Sequence, residues 1–122
     1  MGSLYIEKDH WQIIGPTEAG PQRYGTGGEM ALWESRDEGK SWEKKKVLTQ
    51  NSPRNHSYAR RPLHAQSDFY ALWADGDADQ LSMSKLYYCN EKGQVFELPY
   101  NMEKDFEKPV RLRDNTKITN HR

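Results

Sequence analysis

The residues best placed to do chemistry are Arg54-Asn55-His56-Ser57-Tyr58-Ala59-Arg60-Arg61-Pro62-Leu63-His64, which bring three arginines and two histidines into eleven positions without a carboxylate. Arginine holds a planar carboxylate through two parallel hydrogen bonds and offsets negative charge that develops beside it. Tyrosine and histidine can transfer protons as general acid or base. As a strand over Tyr58 to Ala65, the segment puts Tyr58, Arg60, Pro62 and His64 on one face and Arg61 with Leu63 on the other. The next stretch, Ser67 to Gln80, carries Asp68, Asp75, Asp77 and Asp79 and no Lys or Arg. The plainer alternative pairs Arg60 and Arg61 with Asp68 or Asp75 in salt bridges and places Tyr58 in the core.

The elements that must position these residues are short. The chain has 122 residues, room for one domain of ordinary size. Its 18 basic and 18 acidic side chains cancel, which removes the bulk electrostatic case for nucleic acid or an anionic membrane as partner. No apolar run approaches the roughly 18 residues of a spanning helix. Apolar residues come in clusters of four to six between Gly, Pro, Asn, Asp and Ser, an all-β pattern. The expected strands are Leu4 to Lys8, Trp11 to Ile14, Glu29 to Ser35, Ser41 to Leu48, Tyr58 to Ala65, Phe69 to Ala74, Lys85 to Cys89 and Gln94 to Leu98. Pro16 to Gly28 and Asp75 to Ser84 read as long loops, Met102 to Phe106 as a helical turn, and the last ten residues as disordered.

Ser35-x-Asp37-x-Gly39-x-Ser41-Trp42 has a physical task at each fixed position. The Asp37 carboxylate can accept backbone N–H groups of a reverse turn, Ser35 and Ser41 can add short local bonds, Gly39 supplies a positive φ, and Trp42 covers the base of the turn. Aligning Gly39 with Gly93, 54 residues apart, sets Leu32-Trp33 over Leu86-Tyr87 and Trp42 over Phe96. A four-stranded unit with a period near 50 is a propeller-blade signature.

The octapeptide resembles the Asp-box, or BNR repeat, of sialidase-like β-propellers, where it links the third and fourth strands of a blade. A wider similarity runs from Tyr24 to Met102 through Tyr24-Gly25-Thr26-Gly27-Gly28-Glu29-Met30, Asn55-His56-Ser57-Tyr58-Ala59-Arg60-Arg61-Pro62, Phe69-Tyr70-Ala71-Leu72-Trp73-Ala74-Asp75-Gly76 and Leu98-Pro99. These segments look like the BNR-repeat proteins of bacterial polysaccharide degradation, and propeller-type polysaccharide lyases such as ulvan lyases are similar. The resemblance implies two four-stranded antiparallel blades of a partial β-propeller. Residues 1–50 would be the blade with the Asp-box, 51–100 the blade with its degenerate copy, and 101–122 a charged tail or the start of the next blade. It implies a six- or seven-bladed, secreted or periplasmic parent whose remaining blades are the partners of this piece, itself inactive alone. Assembly of copies into a ring is the alternative.

The activity so implied is degradation of an acidic polysaccharide by β-elimination or hydrolysis. Arg60 would neutralise a uronate carboxylate, Tyr58 and His56 or His64 would move protons, and Arg61, Trp73, Tyr70 and Asp75 would bind substrate. Ser35, Asp37, Gly39, Ser41 and Trp42 would be structural. A non-catalytic glycan- or protein-binding propeller is the alternative. Sialidase chemistry fits less well, because Arg61-Pro62 follows the motif that an Arg-Ile-Pro would precede. No cofactor is expected. Asp75-Gly76-Asp77-Ala78-Asp79 opens like a calcium loop, but Gln80 and Leu86 stand where Gly and Glu are needed, which leaves at most a weak structural calcium site. His56, His64 and Cys89 match no compact zinc spacing, which leaves at most a weak structural zinc site.

Overall fold

Alternating burial builds the first sheet. In β1 (Ser3–Ile6) Ser3 and Tyr5 are buried and Leu4 and Ile6 exposed, the period-two pattern of a strand with one covered face. The computed structural model describes residues 3–112. β1 pairs with β2 (Trp11–Pro16), β2 with β3 (Met30–Ser35) and β3 with β4 (Glu43–Val47), all antiparallel and in chain order. Tyr5 stands opposite Gln12 and Ile14 opposite Leu32, so these side chains share the covered face. The second sheet repeats the meander with β5 (Asn55–His56), β6 (Ala71–Gly76), β7 (Leu86–Cys89), β8 (Val95–Glu97) and β9 (Val110–Arg111). The described residues thus form two open antiparallel sheets of four and five strands without a helix.

One core joins the sheets. Tyr5, Ile14, Met30, Leu32 and Leu48 come from the first half, and Ala59, Tyr70, Ala71, Trp73, Tyr87, Cys89 and Val95 from the second. The rings of Tyr5 and Tyr70 stack with centroids 4.0 Å apart. The Tyr5 hydroxyl donates to the Tyr70 carbonyl, and the Tyr70 hydroxyl donates to Gln12 Oε1 at 3.1 Å. Large rings with satisfied polar tips explain how a chain poor in aliphatic residues sustains a core. Burial raises the hydroxyl pKa of Tyr5, Tyr70 and Tyr87, and it pushes the Cys89 thiol up to about 12, that of an inert core residue.

Seven of the eight expected strands form, at β1–β4 and β6–β8. The exception is Tyr58 to Ala65, where the only ladder contact is a bridge between Arg60 and Leu72. Pro62 has no N–H to give, and the edge of β6 is instead taken by Asn55 and His56 opposite Gly76 and Asp75. β9 was not expected; it makes the second sheet five-stranded and carries it past residue 100. Met102 to Phe106 is not helical: both residues are exposed, so a single turn there has nothing to pack against. Met1 and Gly2, and the last ten residues read as disordered, lie outside the described residues.

Candidate functional site

The motif ending at Trp42 forms the β3–β4 turn. Asp37 Oδ1 accepts the Ser41 N–H at 2.8 Å and the Ser35 hydroxyl at 2.8 Å, and Asp37 Oδ2 accepts the Ser41 hydroxyl at 2.5 Å. Ser35 Oγ in turn accepts the Gly39 N–H at 2.8 Å, and the Trp42 indole donates to the Gly39 carbonyl at 3.1 Å. The Ser41 hydroxyl, then the Ser41 N–H and the Ser35 hydroxyl, hold the Asp37 carboxyl down at about 2. Gly39 has φ +87°, and a Cβ there would lie 2.8 Å from Cζ3 of Trp11. The three hydrogen bonds that the Asp37 carboxylate accepts all come from its own turn, a structural role.

The β7–β8 turn repeats the device with different residues. Asn90 Oδ1 accepts the Gln94 N–H at 2.9 Å, Asn90 Nδ2 donates to Gln94 Oε1 at 2.8 Å, and Gly93 has φ +83°. Glu91, which the alignment sets over Asp37, is exposed, and its N–H donates to the Ser67 carbonyl. The anchoring side chain has moved one residue back.

The arginine- and histidine-rich segment splits into a buried beginning and an exposed loop. His56 is 1% exposed on β5. The Trp73 indole N–H lies 3.1 Å from His56 Nδ1. Because indole only donates, Nδ1 presents its lone pair and the ring proton sits on Nε2. Nε2 is 2.9 Å from Ser52 Oγ, and Ser52 passes its own proton to Glu29 Oε1 at 2.7 Å. Glu29 also accepts the Thr49 hydroxyl and the Ser52 N–H. With both ring nitrogens occupied and burial lowering its pKa against the attraction of Glu29 and Asp75, His56 is a neutral structural residue. Its expected part in proton transfer is corrected on that ground. The Ser52 proton points to Glu29 rather than to imidazole, so the trio is no nucleophile–base pair.

Three residues expected to touch substrate are also core residues. Trp73 and Tyr70 are buried between the sheets. Asp75, 6% exposed, accepts the Lys85 N–H and the Tyr87 hydroxyl, each at 2.8 Å, with Arg54 Nε 3.8 Å away. The sequence placed them on a surface because an aromatic or an aspartate on a strand looks the same on either face. Tyr58, Arg60, Arg61 and His64 are exposed on the β5–β6 connection. Arg61 lies over the Tyr5 ring, 4.7 Å from its centroid, and donates to the Leu4 carbonyl at 3.3 Å. Among the described residues, no side-chain hydrogen bond or ion pair joins Tyr58, Arg60 and His64 to one another.

No protein-family model, curated protein or solved structure matches this chain. Among the described residues no three His, Cys, Asp or Glu side chains gather in a way that could hold a metal. Asp77 is used locally, accepting the Asp79 N–H and the Gln80 amide.

Sequence reasoning missed Asn55, Glu29 and Ser52. Asn55 is 1% exposed; its Nδ2 donates to the carbonyls of Gln22 and Tyr24, and its Oδ1 accepts the Gln22 N–H, which pins the Pro16 to Gly28 loop onto the second sheet. No local signal marked it, because Asn55 lies 27 positions beyond that loop and only the fold brings them together.

Proposed function

We propose that the two sheets are adjacent blades of a BNR-type propeller that acts on an acidic polysaccharide, by β-elimination or hydrolysis, with further blades of a longer chain as neighbours. The observation that carries this reading is the Asp37 turn: the motif connects the third and fourth strands of a four-stranded meander, and its carboxylate ties the main chain of that turn. The substrate side rests on the exposed loop, where Tyr58, Arg60, Arg61 and His64 stand with no carboxylate between them. Exposed loop residues on a rigid sheet are the usual place for recognition. Arg60 takes the uronate carboxylate, Arg61 supports the loop through Tyr5 and Leu4, and Tyr58 and His64 remain as the proton-transfer groups.

Non-catalytic binding of an anionic glycan is the second reading, favoured by the absence of any hydrogen bond among Tyr58, Arg60 and His64. Both are tested by mixing the longer chain that carries the remaining blades with a panel of uronate polysaccharides and following retention together with the absorbance of an unsaturated product and the release of reducing ends. Retention weakened by Arg60→Ala, with absorbance abolished by Tyr58→Phe, supports the lyase. Retention with neither an unsaturated product nor new reducing ends supports the binding module. Equal retention of neutral and anionic glycans, insensitive to Arg60→Ala, removes both.

A further inference from the structure

On the face turned away from their shared core the inner strands of both sheets are apolar, which is unusual for antiparallel sheets with water beside them, and the rows end on Lys44 opposite Trp33, Arg60 opposite Leu72 and Arg111 opposite Phe96. On the first sheet Leu4 stands opposite Ile13, Ile13 opposite Trp33, and Ile6 opposite Trp11; Leu4 is 44% and Ile6 60% exposed. On the second, Leu72 stands opposite Tyr88 and Tyr88 opposite Phe96. The Tyr88 ring lies 5.0 Å from both Phe69 and Phe96, and Leu86 and Phe69 are exposed beside it.

The internal repeat states which face fits which. Trp33 and Tyr87 occupy equivalent places, Trp33 opposite Ile13 on β2 and Tyr87 opposite Trp73 on β6. Yet Trp33 belongs to the free face of the first sheet, whereas Tyr87 is buried against the first sheet. Conversely Leu32 faces the shared core and its equivalent Leu86 faces solvent. The sheets therefore stack in the same sense and are not related by a two-fold axis. Corresponding edges also align: the Ser3 hydroxyl on β1 donates to the Ala59 carbonyl just after β5, and Gly93 between β7 and β8 packs on Leu48 just after β4. The interface inside the chain joins a Leu32-type face to a Tyr87-type face, and the two free faces are one of each type.

We propose that copies of this chain associate head-to-tail, the free face of the β5–β9 sheet of one copy seated on the free face of the β1–β4 sheet of the next. A second copy carries the complementary face in the complementary sense, and the contact repeats one that the chain already makes with itself. Such a heterologous contact leaves a free face at each end and propagates until it closes. The proposal does not use the carbohydrate reading, and it competes with the reading of a longer chain, whose neighbouring blades would cover the same two faces.

Sedimentation of the whole protein with two face-blocked variants tests it. Leu4→Glu/Ile6→Glu blocks the first free face and Phe69→Glu/Leu86→Glu the second; all four positions are exposed, and far-UV circular dichroism checks that each variant keeps its sheets. Single substitutions Ile6→Glu and Leu86→Glu replace any double variant that unfolds. The wild-type protein is expected to sediment above the monomer, each blocked variant as a monomer, and their mixture as a one-to-one dimer. A monomeric wild type, self-association of either blocked variant, or a mixture that stays monomeric overturns the proposal.

Discussion

Asp37 and Gly39 divide the work of one reversal. The carboxylate gathers the N–H and hydroxyl groups of the turn, and the glycine takes a backbone angle that would cost a residue with a side chain about 1–2 kcal/mol. Gly39 and Gly93 have nearly the same φ, +87° and +83°, but different neighbours. A Cβ at Gly39 meets the Trp11 ring at 2.8 Å, whereas at Gly93 it meets the flexible ends of Leu48 and Lys46 at 3.2 Å. Gly39→Ala is therefore expected to destabilise by about 2–3 kcal/mol and Gly93→Ala by about 1 kcal/mol, read from urea midpoints. Equal losses would show that backbone angle alone decides both positions. The motif residues were fully legible, because each bond they make spans at most four positions. In the second turn the anchor is Asn90, one residue before the position that the alignment sets over Asp37, since Asn90 and Glu91 can both act as turn acceptors and only the register of β7 against β8 chooses between them.

At the scale of elements, β5 is a clamp rather than a catalytic strand. His56 ties β6 through Trp73 to the segment carrying Thr49 and Ser52 and to Glu29 before β3. Burial, the largest influence, holds His56 below its ordinary value of 6.5, so the unfolded chain binds that proton more readily. Its contribution is complete above about 6.5 and declines as the pH falls below it. Burial by itself would raise Glu29, but the hydrogen bonds from the Ser52 N–H and the Thr49 and Ser52 hydroxyls outweigh it and hold the carboxyl below 4.5. Glu29 thus adds a second loss, in the same direction, below about 4.5. Urea midpoints are expected to fall between about pH 8 and about pH 5 in the wild type, with the fall largely absent in His56→Gln. A flat wild-type profile over that range would mean that the histidine is not held neutral. The sequence could list His56 among proton carriers but could not reveal that an indole and a hydroxyl already occupy both of its nitrogens.

At the scale of the molecule, stability belongs to the contact between sheets. Neither sheet has a core of its own, because the buried side chains of each face the other. Tyr5→Ala removes the ring stacked on Tyr70 and takes the Tyr5 hydroxyl away from the Tyr70 carbonyl; the expected cost is about 3–5 kcal/mol. Indole fluorescence from the four tryptophans and far-UV circular dichroism should report one coincident unfolding transition in dilute wild-type protein. Two separated transitions would show that the sheets are independent units.

By itself the sequence determined the β class, seven of the strands, the long loops and the Asp37 turn, because period-two patterning, turn residues and local acceptors act over a few positions. It also gave the 54-residue spacing that relates the two hairpins. Tertiary structure alone decided which face of each strand is covered, and so turned Tyr70, Trp73 and Asp75 inward while leaving Tyr58, Arg60 and His64 outside. It also decided that Asn55 and His56, not Tyr58 to Ala65, take the edge of β6. Alternation along a strand fixes that two faces differ, but which one meets a partner depends on what the other sheet brings to it.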